Sequence, residues 1–243
     1  MSEVAVSRRS GTRDRIVRAA ADLLAEGGRE AVSTRAVAAA AGVQAPTIYR
    51  QFGDMRGLLD EVASYGFSTY LRDKTTRERE DDPVDDLRRG WDLHVEFGLA
   101  NPAFYTLMYG DPASGVEPAA AGEAAAILRD LVRRVAEAGR LRVGVERAAN
   151  MIHAAGCGVT LSLIGTDPAY RDPALSEMTR EAVLAAVTLE ETNEATPGRA
   201  DRDRLANRAV ALRATLPGVR DELTPGELSL LSEWLDRLSQ PAD

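Results

Sequence analysis

Cysteine occurs once in the 243 residues, at Cys157. One thiol excludes an internal disulfide framework and a cysteine-built metal cluster, and it predicts a reducing, cytoplasmic setting. No run of eighteen apolar residues occurs, which predicts no membrane span. The opening MSEVAVSRRSGTR has no apolar core of the kind a secretory signal needs. A nucleophile elbow, a glycine-rich phosphate loop, zinc-spaced histidines and a convincing carboxylate pair are all missing. The expectation is a protein that is not an enzyme and has no metal site and no cofactor.

A basic surplus is also missing overall, since the net charge is −8. That looks wrong for a partner of nucleic acid until the chain is divided. Residues 1–56 carry nine Arg and Lys against six Asp and Glu, a net of +3. Residues 57–243 carry 21 against 32, a net of −11. Neutralising phosphate takes a local basic face, not a basic protein.

The basic end holds the most informative stretch, AVAAAAGVQAPTIYRQF, from Ala36 to Phe52. Val37, Ala38 and Ala41 give a first helix its apolar side. Gly42 breaks it, and Val43 is the apolar residue such a turn tucks inward. Gln44 can start the next helix, with Pro46 in its first turn, where a missing N–H costs nothing. Ile48 and Phe52 lie four apart and point to the core. The other face holds Ala45, Thr47, Tyr49, Arg50 and Gln51, the chemistry that meets base edges and phosphates. Two helices so spaced, the second apolar behind and polar in front, make a helix-turn-helix.

Around this motif the run from Arg15 to Ala63 resembles the DNA-binding region of the TetR family of bacterial transcriptional regulators. Ala20, Leu23, Leu24 and Gly27 or Gly28 carry the likeness in the first helix. Ala38, Ala41-Gly42-Val43, Thr47-Ile48-Tyr49-Arg50, Phe52 and Leu58-Leu59 carry the rest. The resemblance implies an all-α fold: a three-helix DNA-binding domain, then a larger helical domain for ligand binding and dimerisation. Many relatives carry a phosphate-pairing lysine where this chain has Met55, and Arg56 is the neighbouring substitute. The segment Asn101-Pro102 followed by Phe104, Tyr105, Leu107 and Met108 is similar to the regulatory domain of one large subfamily, the TetR_C or WHG-like type.

The expected organisation is a flexible arm over 1–11, the helix-turn-helix domain over 12–56, the helical regulatory domain over 57–193 and a C-terminal helical extension over 194–243. Arg8 and Arg9 either reach a minor groove or form a basic tail with few contacts. Ser33 or Thr34 caps the second helix, and Thr34 and Arg35 are phosphate candidates. The segment Arg77 to Asp86 reads as a linker. Its four aspartates, Asp81, Asp82, Asp85 and Asp86, read as a solvated helix start, lacking the glycine and distal glutamate of a calcium loop. Helices are expected over 83–99, 119–140 (Ile127, Leu128, Leu131, Val132 and Val135 inward), 146–165 and 173–191. The extension is expected to hold helices over 203–215 and from Thr224, whose pairing with Glu227 fits a capping box.

Aromatic residues are only 5% of the chain, yet most outside the helix-turn-helix fall within 65–70 and 91–109. That clustering reads as core, as a cavity wall, or as both. The candidate ligand contacts are Tyr65, Tyr70, Trp91, His94, Phe97, Phe104, Tyr105, Met108, Tyr109, Met151, His153 and Cys157. His153 and Cys157 stand four apart on one helix without an obvious third partner, which reads as a buried thiol rather than a metal site. The stretch 146–165 is apolar on nearly all sides, and a helix of that kind must be covered all round. The resemblance supplies the cover: a homodimer in which this helix and 173–191 form a four-helix bundle with their mates. Ala182, Val183, Ala186, Val187 and Leu189 would lie in it.

The DNA-binding candidates are therefore Thr34, Arg35, Gln44, Ala45, Pro46, Thr47, Tyr49, Arg50, Gln51 and Arg56. The expected partners are double-stranded operator DNA, a second copy of the chain and a small-molecule effector. The competing reading is an all-helical interaction bundle, or an enzyme, with no DNA-binding role. The polar front of residues 44–51 separates the two, since a packing module has no use for it.

Overall fold

The computed structural model describes residues 3–74, 80–110, 118–189, 199–219 and 222–239. Regular structure there is helical apart from one isolated bridge between Leu141 and Thr188. The helices are α1 (Glu3–Ala31), α2 (Thr34–Ala41), α3 (Ala45–Phe52), α4 (Met55–Lys74), α5 (Pro83–Ala100), α6 (Pro102–Tyr109), α7 (Ala119–Glu137), α8 (Val145–Gly165), α9 (Leu175–Val187), α10 (Arg199–Thr215) and α11 (Pro225–Leu238). They fall into two compact units. Unit 1 is residues 1–78 with 96–124, and unit 2 is residues 79–95 with 125–243.

Unit 1 is built on α1, which packs against α2, α4 and α6. Ile16, Ala20 and Leu24 are fully buried, as their helical spacing demands. The arm expected over 1–11 is helical from Glu3, because no helix breaker occurs before Gly11 and the helix runs through that glycine. The helix kinks at Gly28, at φ 66° and ψ −167°, and the chain is helical again to Ala31. Further on, α4 and α6 come so close that a Cβ on Gly66 would lie 2.3 Å from the Phe104 ring. Phe97 meets Phe67 at 5.6 Å and Tyr70 at 5.0 Å between ring centroids, and Tyr105 meets Tyr109 at 4.8 Å.

Unit 2 is tied by charge as well as by apolar packing. Asp82 caps the start of α5, accepting from the Val84 N–H at 2.8 Å, and pairs with Arg140 at 2.7 Å. Asp86, only 3% exposed, is held between Arg89 and Arg134 and accepts from the Glu80 N–H at 3.1 Å. The solvated reading of the aspartate cluster thus fails at Asp86. Arg89 stands one turn away on α5, but Arg134 lies on α7, out of reach of a local reading. Arg88 and Arg180 both bind Glu181, and Trp91 Nε1 donates to Ser176 Oγ at 3.1 Å, so residues 83–95 are pinned to α9. On α7, Val132 and Val135 are buried, but Ile127 faces outward at 41% exposure.

Helix α8 packs on α9, and its buried residues include Ala148, Ile152, Gly156, Val159 and Leu163, with Gly156 against Trp91 and His94. It is 21 residues long, and an 18-residue stretch of it has a mean hydropathy of 1.3, enough to cross a membrane by length and composition, which the count of uninterrupted apolar residues overlooked. These inward residues make it the core helix of its unit. Its other side stays open within one chain: Met151, Ala154, Gly158, Ser162 and Gly165, at helical spacing, are exposed. On α9, Met178, Ala182, Ala185 and Ala186 are exposed, whereas Val187 is already fully buried inside the unit. The extension forms a helix pair, α10 on α11, around Ala209, Leu216 and Leu235. Thr224 and Glu227 make the capping box expected there. The first helix of the extension, expected from 203, starts at Arg199, and residues 190–198 lie outside the described residues.

Candidate nucleic-acid interface

The helix-turn-helix is assembled from local signals. Ser33 caps α2, its Oγ accepting from the Ala36 N–H at 3.2 Å. Gly42 ends α2 in the left-handed conformation, φ 64° and ψ 41°, and its N–H returns to the last turn. A side chain there would be strained, which is why glycine stands at the turn. Gln44 is the N-cap of α3 without a side-chain cap bond, and Pro46 sits in the first turn. Val37 and Ile48, both fully buried, fasten the two helices to the core.

What remains outside is polar. Gln44, Pro46 and Arg50 are exposed, and Ala45, Thr47 and Gln51 are half-buried. Tyr49 is 47% exposed. Its hydroxyl lies 3.1 Å from Thr34 Oγ1 on α2. That bond brings two of the sequence candidates together and fixes the direction of the Tyr49 ring. Arg50 lies across its own helix turn from Thr47, at 3.5 Å between Nη2 and Oγ1. Arg35 is exposed near the start of α2. Arg56 is exposed in the first turn of α4, just after Asp54, whose carboxylate accepts from the Gly57 N–H at 2.8 Å.

One residue that holds this surface escaped the sequence reading. Arg13, on α1, donates to the Gln51 carbonyl at 2.6 Å, pairs with Glu61 at 2.5 Å and lies 4.4 Å above the Phe52 ring. It therefore ties the end of α3 to α1 and α4. Only its position in the basic first helix hinted at a role.

The twelve ligand candidates divide between the units. Tyr65, Tyr70, Phe97, Phe104, Tyr105, Met108 and Tyr109 belong to unit 1. Burial and the neighbouring Glu96 push the Tyr70 phenol well above its ordinary value. Trp91, His94, Met151, His153 and Cys157 belong to unit 2. There the third partner that the sequence did not reveal is His94. Its Nε2 lies 4.0 Å from Cys157 Sγ, and the His153 ring nitrogens lie 3.6 and 3.7 Å from the same sulfur. Burial, with His153 beside it, lowers His94 to about 4, so the imidazole is neutral at pH 7. Among the described residues no His, Cys, Asp and Glu group has the geometry to hold a metal ion.

Residues 16–62 match the profile of the family described as bacterial regulatory proteins, tetR family. No curated protein matches the chain. Among solved structures, the chain is similar to a tetR family transcription regulator from Shewanella sp. PV-4, at 18% identity and a TM-score of 0.57 over 74% of this chain and 99% of that one. A transcriptional regulator from Rhodococcus sp. RHA1 is similar at 19% identity and a TM-score of 0.54 over 73% and 98%. A multidrug binding protein, EbrR, in complex with imidazole, is similar at 21% identity and a TM-score of 0.53 over 74% and 97%. These likenesses carry the fold, and the profile match places a region of the tetR-family type at residues 16–62, over the helix-turn-helix.

Proposed function

We propose that this chain is a TetR-family transcription regulator, a cytoplasmic repressor that binds palindromic operator DNA as a homodimer and is released by a small-molecule effector. The observation that carries the reading is the outward polar front of α3, with Tyr49 exposed and aimed by Thr34. Thr47, Tyr49, Arg50 and Gln51 would meet base edges, and Thr34, Arg35, Gln44, Ala45, Pro46 and Arg56 the backbone. In functional terms residues 12–56 read DNA, 57–193 bind effector and mate, and 194–243 are an extension.

The open stripes of α8 and α9 support the dimer. Only 39% of the apolar α8 window is buried within one chain, and the exposed side is mostly small residues with Met151 and Met178. Small residues let helices approach closely, and a two-fold pair of chains suits a palindrome, with half-sites about 34 Å apart. Val187, already covered, is replaced in this interface by Met178 and Ala185 beside Ala182 and Ala186. The likeness to a multidrug binding protein supports the effector. Its candidate contacts are the aromatic set of unit 1 and the Trp91, His94, His153 and Cys157 set of unit 2.

Selection from a pool of random duplexes by the purified chain tests the proposal. Enrichment of an inverted repeat, with a dimer by light scattering, is expected. Ala154→Glu on the open stripe should give a monomer that enriches nothing. Enrichment of no sequence, or full binding by a monomer, contradicts the reading.

A further inference from the structure

Unit 1 contains a cleft of about 820 Å³ that is separate from the aromatic residues named above, apart from Met108. It lies among α1, α4 and α6. Leu59, Ala63 and Met108, all buried, form its apolar wall, and Thr106 on α6 lines it as an exposed hydroxyl. The volume falls in the range of small-molecule sites, roughly 300–1,000 Å³.

Four charged side chains line it: Arg29, Arg56, Asp54 and Asp60. Both carboxylates are occupied with backbone. Asp54 accepts from the Gly57 N–H at 2.8 Å, and Asp60 accepts from the Ala119 N–H at 2.9 Å. The guanidiniums are far less engaged. Arg29 spends one N–H on the Val32 carbonyl at 3.2 Å, and Arg56 makes no hydrogen bond or ion pair among the described residues. An apolar wall beside two guanidiniums with donors to spare fits a molecule with a hydrocarbon body and an anionic head.

We propose that this cleft binds a small amphipathic carboxylate, its chain against Leu59, Ala63 and Met108 and its head on Arg29 and Arg56. The consequence rests on the proposed function. Arg56 is also a phosphate candidate, so a carboxylate held there competes directly with DNA for that guanidinium. Occupancy lowers operator affinity and removes about one phosphate from the salt dependence. This site differs from the aromatic sets in place and in the charge it selects.

Calorimetry on the full chain, with octanoate, decanoate and 2-naphthoate as probes, tests the site without DNA. Decan-1-ol and decyltrimethylammonium serve as the uncharged and cationic counterparts. At least one carboxylate should bind, about tenfold or more tighter than its alcohol, since a charge-assisted hydrogen bond is lost with the head. Arg29→Gln should weaken it about tenfold, Arg29→Lys should keep most of the affinity, and Thr106→Trp should abolish it by filling the cleft. Circular dichroism then confirms that Thr106→Trp is folded. Binding of none of the three carboxylates overturns the proposal. So does equal binding of decan-1-ol, tighter binding of the ammonium, or carboxylate binding untouched by both Thr106→Trp and Arg29→Gln. Operator release is measured separately. If no operator is found, the regulatory reading falls while the calorimetry still decides the cleft.

Discussion

In unit 1 the helix-turn-helix is fixed mostly by neighbours in sequence. Ser33 caps α2 three residues on, Gly42 makes the turn, and Thr34 meets Tyr49 at a separation of 15 residues. In unit 2 the polar ties span the chain. Arg134 reaches Asp86 across 48 residues, Arg140 reaches Asp82 across 58, and Arg88 reaches Glu181 across 93. Both histidines and the cysteine are in unit 2 as well. One unit turns its polar groups outward and leaves them available, and the other turns a share inward and uses them up. A surface that must meet DNA cannot satisfy its own donors first.

Breaking the deepest of these ties should have the largest effect. Asp86→Ala leaves the partly buried Arg134 without its anion and Arg89 with Glu80 alone, and about 3–5 kcal/mol of stability should be lost in denaturant unfolding. Burial works against the Asp86 charge, but the Glu80 N–H, Arg134 and Arg89 overcome it and hold the carboxyl below its usual range. Its contribution is therefore complete above the unfolded carboxylate value of about 4 and fades as pH falls below it. A loss under about 1 kcal/mol would mean the network is surface decoration.

His94 should add a slope at higher pH. Its folded value, about 4, lies below the unfolded value of about 6.5, so the fold favours the neutral ring. That stability is full above pH 6.5 and is lost as pH falls towards 4, amounting to about 3 kcal/mol. Unfolding at pH 7.5 and 4.5 should show the loss in wild type and not in His94→Leu. Equal slopes would remove the buried imidazole from the account.

In unit 1 the effects should be smaller and should reach DNA binding. Arg13→Ala removes a carbonyl contact, an ion pair and a ring contact, which should cost about 2 kcal/mol. It should also weaken operator binding by freeing the end of α3, and unchanged binding would show that α3 is held without it. Smallest is Gly66→Ala. The added methyl gains up to about 1 kcal/mol in helix propensity but meets the Phe104 ring, so a net loss of about 1 kcal/mol is expected in thermal unfolding. A gain in stability would mean that α4 and α6 part easily.

The same contrast explains what could be read in advance. Gly42, Pro46, Ile48 and the Thr224–Glu227 box act through neighbours a few residues away, so their meaning is written beside them. Periodicity likewise marked Ile16, Ala20 and Leu24 as core. Arg13 on Gln51, Arg134 on Asp86, and His94 beside the His153–Cys157 pair depend on where distant helices pack. Ile127 fits its helical stripe and still faces outward, because the stripe is wider than the surface that covers it. The cleft among α1, α4 and α6 left no local signal, since its lining comes from four separated segments.

The central claim, that the polar front of α3 reads DNA, is tested most directly by the affinity of the purified chain for duplex DNA flanking its own coding region. Wild type and Tyr49→Ala are compared at two salt concentrations. The account predicts saturable, salt-sensitive binding centred on an inverted repeat, weakened about tenfold or more by Tyr49→Ala while the salt slope is kept. Equal binding by the two proteins, or binding with no sequence preference at either salt concentration, would contradict it.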